Sequence, residues 1–172
     1  MNFPIHSWYS KAFAVVVALT SANSFSHLRG DEPSPAHIAY PADFRQWVHV
    51  KSGILGPEFP AESERGIHHV YANRAALAGF ESGTFEDGSI IVYDLVSLTD
   101  IGSGVQKEGE RRRTDVMVKD SKLYSDSGGW GFGRFMGDDH DHDVLTADAR
   151  KNCLQCHQKQ QAHGFVFSAF RK

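Results

Sequence analysis

The stretch Ser89-Ile90-Ile91-Val92-Tyr93-Asp94-Leu95-Val96 decides the fold, because its β-branched and apolar residues suit a strand that is buried on both faces. A turn signal precedes it at Glu86-Asp87-Gly88, and a loop through Gly102, Gly104 and Gly109 follows it. A strand that is apolar on both faces lies in the middle of a sheet. The sequence therefore predicts a β-rich domain built around residues 89–96.

Two segments upstream of this strand carry signals for regular structure. Asp43 is placed to cap a helix over residues 44–52, where apolar side chains recur at helical spacing. Residues 67–71 have the composition of a strand. Asn73 then follows as the predicted cap of a short, alanine-rich helix over residues 74–80.

Further strands are predicted downstream. Residues 114–119 and 122–124 are expected to form a hairpin, and residues 165–170 are expected to close the domain as a final strand. Residues 128–135 are predicted as a strand whose glycines either admit a flat group closely or relieve tight packing in the sheet. The fold class is therefore α+β, a mainly antiparallel β-sheet with a few short helices.

Both cysteines of the chain fall in one motif, Cys153-Leu154-Gln155-Cys156-His157, and Thr146 is placed to cap a helix that runs into it. Two thiols three residues apart on one helical turn can each bond a vinyl group of the same porphyrin, and the adjacent imidazole can reach its iron. The motif predicts covalent haem c held by Cys153 and Cys156. His157 is the expected proximal iron ligand.

Two other uses of a Cys-x-x-Cys pair suit this chain less well. A thioredoxin-like redox motif lies early in its fold, whereas only fifteen residues follow His157. A structural zinc site needs four ligands, and the chain has no second cysteine pair. Haem attachment is the interpretation that uses both cysteines and the histidine of the motif.

The start of the chain has the features of a secretory signal peptide. Lys11 precedes the apolar run at residues 12–19, and small residues follow. An uncleaved membrane anchor is the alternative, but a spanning helix needs about 20 apolar residues. We expect a signal peptide at residues 1–22, a flexible linker at residues 23–40 and a haem domain at residues 41–172, exported to the periplasm.

The charge balance argues against a nucleic-acid partner. The net charge is −3, and the basic run at residues 111–113 is interpreted as a solvated approach to a strand. Residues 137–143 form the most polar run and contain acids and histidines that could bind a metal. A solvated loop is the preferred interpretation, because the run lacks the ligand spacing of an EF-hand.

The sequence does not indicate a permanent sixth ligand for a haem iron. Small electron-transfer cytochromes c have an axial methionine well after the haem motif, but Met117 and Met136 both lie before it. His68 and His69 are candidates on a strand, where a histidine more often has a structural role. An open sixth position that binds a small molecule is the leading interpretation, and a six-coordinate electron carrier is the alternative.

Several short motifs occur along the chain, each once and in a characteristic order. They are Phe44-Arg45-Gln46-Trp47, Val50-Lys51-Ser52, His68-His69-Val70-Tyr71-Ala72-Asn73, Gly83-Thr84-Phe85-Glu86-Asp87-Gly88-Ser89, Val116-Met117-Val118-Lys119-Asp120, Gly128-Gly129-Trp130-Gly131-Phe132, the haem motif and Phe165-Val166-Phe167-Ser168. This order resembles the cytochrome P460 family and its relative cytochrome c′-beta, over about residues 41 to 172. A four-helix cytochrome c′ does not fit the β-rich middle of the chain.

The resemblance implies a homodimeric, mainly antiparallel β domain that holds haem c. Cytochromes P460 oxidise hydroxylamine and handle nitric oxide, and the c′-beta relatives bind nitric oxide and other diatomic molecules. In hydroxylamine-oxidising members, a lysine on the strand after the Asp-Gly turn is cross-linked to the porphyrin. Tyr93 stands at that position here. We therefore expect weak hydroxylamine turnover unless Tyr93 itself becomes linked.

The resemblance also implies a carboxylate beside the iron-bound nitrogen, where it would accept a proton. Asp148 stands at about the expected place before the haem motif, although it could instead stabilise the first turn of a helix. Asp143 is a weaker candidate. A distal wall of aromatic residues is expected as well, and the candidates are Phe80, Phe85 and Phe132.

Two functional classes stay open. The first is a periplasmic oxidoreductase that oxidises hydroxylamine and passes electrons to a soluble acceptor. The second is a binding module that captures nitric oxide at a five-coordinate haem without turnover. The missing lysine favours the binding module, and a nearby acid favours the enzyme. Neither class requires nucleic acid or a stable membrane span.

Overall fold

The computed structural model describes residues 37–170, so the predicted signal peptide and most of the predicted linker lie outside the described residues. The strands are β1 (Val48–Leu55), β2 (Gly66–Ala72), β3 (Ile90–Asp100), β4 (Gln106–Lys119) and β5 (Trp130–Met136), and the α-helices are α1 (Arg74–Ser82) and α2 (Ala147–His157). Short 3-10 turns lie at Phe44–Gln46, Glu62–Glu64, Ser125–Ser127 and Gln158–His163.

The five strands form one antiparallel sheet in the order β1-β2-β3-β4-β5, so each strand pairs with the next one along the chain. β3 is the middle strand, as its composition predicts, and Val92 and Leu95 are fully buried in it. The mainly antiparallel α+β fold class is confirmed.

Both helices begin at the polar residues that predict them. The Asn73 side chain accepts a hydrogen bond from the Ala76 amide at 2.9 Å, and the Thr146 hydroxyl accepts one from the Ala149 amide at 3.1 Å. α1 ends at Gly83, whose φ of 80° is a left-handed conformation that suits glycine. Within residues 37–170, neither helix is long and apolar enough to cross a membrane.

The helix predicted over residues 44–52 is wrong. The structure has a 3-10 turn at Phe44–Gln46 and then β1, which pairs with β2 along its length. The backbone groups of this segment bond to a neighbouring strand. That long-range pairing outweighs a short stretch of helical spacing, which cannot by itself distinguish the two structures.

Two other predicted strands are not found within residues 37–170. Residues 122–124 lie in a turn, and β4 forms its hairpin with β5 instead. Residues 165–170 are not paired in the sheet. Positive φ angles at Gly164 and Phe165 turn the chain at the start of this segment, away from an extended course.

The two faces of the sheet are covered differently. On one face, which we call the α2 face, Val70 and Met117 belong to a large buried cluster with side chains of both helices. On the other, the outer face, Val116 and Phe135 form a smaller cluster with Ile38. Ile38 is 3% exposed, so the folded domain includes the end of the segment predicted as a linker.

The glycines of β5 relieve packing inside the protein. A Cβ atom at Gly131 would collide with the ring of Tyr124, and one at Gly133 would lie 3.0 Å from Ile38. Of the two interpretations of these glycines, tight packing within the domain is therefore the one that the contacts favour.

Candidate functional site

A cavity of about 450 Å³ lies between the α2 face of the sheet and the C-terminal part of the chain. Its volume is typical of small-molecule and cofactor sites. The end of α2 and the segment after it form one wall, which includes His157 and Phe167. Side chains of all five strands form the opposite wall, which includes Tyr93 and Asp115.

The haem motif forms the last turn of α2 and faces this cavity. Cys153, Cys156 and His157 all line it, because residues three and four apart lie on the same side of a helix. The two thiols are free. Burial raises the pKa of Cys153, so this thiol is protonated at neutral pH. The structure thus brings together the three residues that the motif predicts.

His157 is held in one orientation by the segment after α2. Its Nδ1 donates a hydrogen bond to the Phe165 carbonyl oxygen at 2.7 Å, which leaves Nε2 for a metal. Phe165 has a φ of 68°, a conformation that costs energy for a bulky residue. The rings of Phe132 and Phe167 lie 5.2 and 5.0 Å from the imidazole. Burial lowers the pKa of His157, which favours the neutral, metal-binding imidazole.

A row of five side chains crosses the sheet opposite the haem motif. Lys51 pairs with Val70, Val70 with Tyr93, Tyr93 with Asp115 and Asp115 with Arg134. Each strand contributes one residue, and all five residues line the cavity. This wall therefore presents a lysine, a phenol and a paired carboxylate to whatever occupies the cavity.

Tyr93 is enclosed by two neighbours in the wall. Its ring stacks on that of His68 with the centroids 4.6 Å apart, and the Arg113 guanidinium lies 5.6 Å from the ring centroid. Burial raises the pKa of Tyr93. The side chain is therefore a neutral phenol at neutral pH and can donate a hydrogen bond.

Asp115 is a cavity residue that the sequence analysis missed. Arg113 Nε donates to one of its carboxylate oxygens at 2.7 Å, and Arg134 Nε donates to the other at 2.5 Å. Alternate residues of a strand point to the same face, so the pattern of β4 places Arg113, Asp115 and Met117 together. That pattern does not show which face of the sheet holds the cavity.

The residues around the cavity suit a haem. Two free thiols and a neutral imidazole share one wall, which is the donor set that haem c uses. Cationic side chains on the opposite wall, Lys51 and Arg113 among them, can balance the carboxylates of a porphyrin. The residues that line the cavity and the residues of the motif therefore suit the same group, a haem.

A comparison with protein families supports the same cofactor. The model of the family described as Cytochrome P460 matches residues 41–168. The chain belongs to the cytochrome P460 family. Because cytochromes are haem proteins, membership implies a haem cofactor for this chain. The comparison with curated proteins found no match.

In this member of the cytochrome P460 family, the predicted distal acids lie outside the cavity. Asp148 is in the first turn of α2, its side chain is 90% exposed, and its carboxylate lies 3.4 Å from Lys151 Nζ. The Asp143 side chain is 1% exposed and forms an ion pair with Arg150, which ties the loop before α2 to the helix. The carboxylate that lines the cavity is that of Asp115.

The candidate sixth ligands of this cytochrome P460 chain are divided between the two faces. His68 and Met117 line the cavity. His69 lies on the outer face, where its Nδ1 is 2.7 Å from Ser52 Oγ and its Nε2 is 2.7 Å from Glu108 Oε1. His68 and Met117 are therefore the two candidates that a ligand test has to address.

Of the three candidate aromatic residues, Phe132 alone lines the cavity. Phe85 packs between Phe80 and Trp130, with ring centroids 5.2 and 5.6 Å away. Phe167, which the sequence analysis did not single out, is the second ring beside His157.

The two polar runs of the sequence have different surroundings. Residues 138–142 are exposed, and the described part of the chain holds no group of three or more metal-binding side chains. The basic run at residues 111–113 is not solvated, which corrects the sequence interpretation. Arg113 is 8% exposed, and Arg111 donates to the fully buried Asp94.

Proposed function

We propose that this protein is an exported c-type cytochrome that binds nitric oxide at an open iron position. One observation carries the proposal: the two free thiols and His157 lie on the same wall of one cavity. Cys153 and Cys156 would hold the porphyrin through thioether bonds, and His157 would bind its iron through Nε2. The bound haem supplies an iron that takes up small nitrogen oxides and exchanges electrons.

The residues of the sheet wall support ligand binding more than turnover. Tyr93 stands where the resemblance implies a cross-linking lysine, and its neutral hydroxyl can donate a hydrogen bond to a bound ligand. Both carboxylate oxygens of Asp115 already accept hydrogen bonds from Arg113 and Arg134. Binding of nitric oxide requires no proton acceptor, so this arrangement is sufficient for it.

Hydroxylamine oxidation is the second candidate, because the cavity wall does contain a carboxylate. Asp115 would accept a proton from the substrate, and a soluble acceptor would receive the electrons. A third covalent bond, from Tyr93 to the porphyrin, would favour this candidate.

The proposed setting of the protein is the periplasm. The features of residues 1–22 and the attachment of haem at a Cys-x-x-Cys-His motif both support export. The family resemblance supports a homodimer, and a small nitrogen oxide is the proposed ligand. The net charge of −3 gives no support for a nucleic-acid partner.

Extraction with acidic organic solvent tests the attachment. Wild-type protein should retain its haem, whereas Cys153→Ala with Cys156→Ala should release it, because both thioether anchors are gone. Replacement of His157 should retain the covalent haem but change the spin state of the iron. Covalent haem in the double cysteine variant would refute the assignment.

Spectroscopy of the ferrous protein separates the candidate functions. We expect a high-spin or mixed-spin spectrum before ligand addition and a new spectrum when nitric oxide binds. A fully low-spin spectrum that Met117→Ala or His68→Ala abolishes would establish an electron carrier instead.

Mass spectrometry of the haem peptide shows whether Tyr93 is covalently linked to the porphyrin. Steady hydroxylamine oxidation with two thioether bonds alone would establish the second candidate.

A further inference from the structure

A β-bulge in β1 aims Lys51 into the cavity. His49 pairs with Tyr71 and Lys51 pairs with Val70, so Val50 is an extra residue in the strand. Val50 is buried in the cluster of the α2 face, and Lys51 lines the cavity on the same face. In a regular strand, successive side chains point to opposite faces, and Lys51 would point away. Bulges commonly re-aim a side chain in this way beside a functional site.

The outer face shows the other effect of the same bulge. His49 and Ser52 are three residues apart, yet both lie on that face, with His49 Nε2 at 2.9 Å from Ser52 Oγ. Two independent contacts, one on each face, thus agree on the position of the bulge. The orientation of Lys51 follows from the backbone.

Lys51 differs from the other cations of the cavity in having no counter-charge. Arg113 pairs with Glu64 and Asp115, and Arg134 pairs with Asp115. Lys51 has no carboxylate partner within residues 37–170. A cation without a counter-charge in a concave site attracts an anion.

Two further polar side chains line the cavity on the two strands that follow β1. Tyr93 is two strands away in the same row, so the two Cα atoms are separated by roughly 10 Å, which the long stem of a lysine largely spans. His68 stacks on Tyr93, and its Nδ1 is buried without a hydrogen-bond partner. Burial and the charge of Lys51 lower the pKa of His68, so Lys51 supplies the positive charge of this group at neutral pH.

We propose that Lys51, His68 and Tyr93 form an anion subsite in the sheet wall of the cavity. Its ligand is a small planar group with negatively charged oxygens. The ammonium of Lys51 supplies the charge, and the phenol of Tyr93 and the imidazole of His68 supply neutral hydrogen-bond donors. This inference rests on the proposed haem site and adds a residue, Lys51, that the haem motif does not predict.

Two sources can provide such a group. One is a propionate carboxylate of the haem itself, and the other is a free nitrogen oxyanion, for which nitrite is the probe. A charge-assisted hydrogen bond from Lys51 would stabilise either anion, but the consequences for the haem differ. Fixed pairing with a propionate changes the reduction potential of the iron, whereas capture of a free anion changes only the affinity for that anion.

The test compares Lys51→Gln with Lys107→Gln in the haem-loaded protein. Both lysines are exposed, but Lys107, on β4 opposite Thr99, does not line the cavity. Replacing either one makes the same change in net charge. Nitrite binding to the ferric protein, the midpoint potential and nitric oxide binding to the ferrous protein are measured for both variants. Lys51→Arg serves as the rescue variant.

If the subsite captures a free anion, Lys51→Gln weakens nitrite binding by about tenfold relative to Lys107→Gln, and Lys51→Arg restores most of it. If it holds a propionate, Lys51→Gln lowers the midpoint potential relative to Lys107→Gln and leaves nitrite binding unchanged. Equal values for the two glutamine variants in both measurements overturn the inference. Failure of wild-type protein to bind nitric oxide counts against the proposed function alone.

Discussion

Tyr93 and Asp94 are neighbours on β3, but they point to opposite faces of the sheet and meet different surroundings. Asp94 is fully buried on the outer face, where Arg45 Nη2 donates to one carboxylate oxygen at 2.6 Å and Arg111 Nε donates to the other at 2.8 Å. Tyr93 lines the cavity on the α2 face, in the same row as Lys51.

The two faces differ in how their charges are balanced. On the outer face, each charge near Asp94 is balanced by another charge of the protein, so those residues stabilise the fold. On the α2 face, the exposed Lys51 has no carboxylate partner within residues 37–170, and His68 Nδ1 is buried without a hydrogen-bond partner. A ligand can remove the cost of an unsatisfied buried group such as His68 Nδ1. Thr114 Oγ1, beside Asp94 on the outer face, is also buried without a partner, so the balance of charges is what distinguishes the two faces.

The largest expected effect breaks the outer-face network. Asp94→Ala removes a fully buried carboxylate and leaves the partly buried Arg111 without one of its partners, so we expect a loss of about 3 to 5 kcal/mol in the free energy of unfolding. Urea unfolding of the haem-loaded protein measures it, with Tyr93→Phe as the matched control on the next position of the strand. If Tyr93→Phe destabilises the protein as much as Asp94→Ala, the two faces do not differ as described.

The second prediction concerns the segment that holds His157. A Cβ atom at Gly128 would collide with the Phe165 ring, whereas one at Gly104 would meet no atom within 4 Å. Both glycines have positive φ angles, so both alanine variants lose about 1 to 2 kcal/mol from the backbone. We expect Gly128→Ala to lose about 1 to 3 kcal/mol more through overpacking and to change the haem spin state.

Thermal unfolding and visible spectra of the two alanine variants provide that comparison. Gly104→Ala should show the spectrum of the wild-type protein. Identical spectra and equal stabilities for both variants would show that the Phe165 segment does not control His157.

The third prediction tests whether the Tyr93 hydroxyl on the α2 face contacts a bound ligand. Tyr93→Phe removes one hydroxyl and should change the free energy of unfolding by less than about 1 kcal/mol. We expect nitric oxide to dissociate from the ferrous variant about three to ten times faster, because a hydrogen bond to a ligand contributes about 0.5 to 1.5 kcal/mol. Flash photolysis or stopped flow measures the rate, and an unchanged rate would place the hydroxyl away from the ligand.

The smallest expected effect is a pH dependence of stability that involves His68. Its pKa is lowered in the folded protein by burial and by the charges of Lys51 and Arg113, whereas it is about 6.5 in the unfolded chain. The unfolded state therefore binds more protons below about pH 6.5, and stability falls as the pH falls. His68→Gln should lose less stability than wild-type protein between pH 7 and 5. Parallel stability curves for the two proteins would contradict this assignment.

Local signals explain what the sequence could predict. The composition of residues 89–96 identifies the middle strand, and the side chains of Asn73 and Thr146 identify the starts of both helices. The haem motif is equally local, because Cys153, Cys156 and His157 share one turn of α2. In each case the residues that form the feature are close together in the chain.

The rest depends on contacts between distant parts of the chain. β1 is paired with β2 across a connection that contains a 3-10 turn, and the bulge that directs Lys51 exists only in that pairing. Asp115 joins the site because β4 lies next to β3 and β5. Asp148 has the expected spacing to the motif, but the direction of its side chain is set by the packing of α2. Spacing alone cannot supply these directions.

The sequential order of the strands also has a consequence for the way the chain folds. Each strand pairs with its predecessor, so no pairing closes a loop longer than the connection that contains α1, and the cost in chain entropy is small. Because chains are synthesised from the N-terminus, the wall that contains Tyr93 can form before the cysteines are available. We expect amides of β3 and β4 to gain protection from hydrogen exchange before those of α2 during refolding. A chain that stops short of Cys153 would contain the residues of all five strands but neither cysteine that could attach a porphyrin.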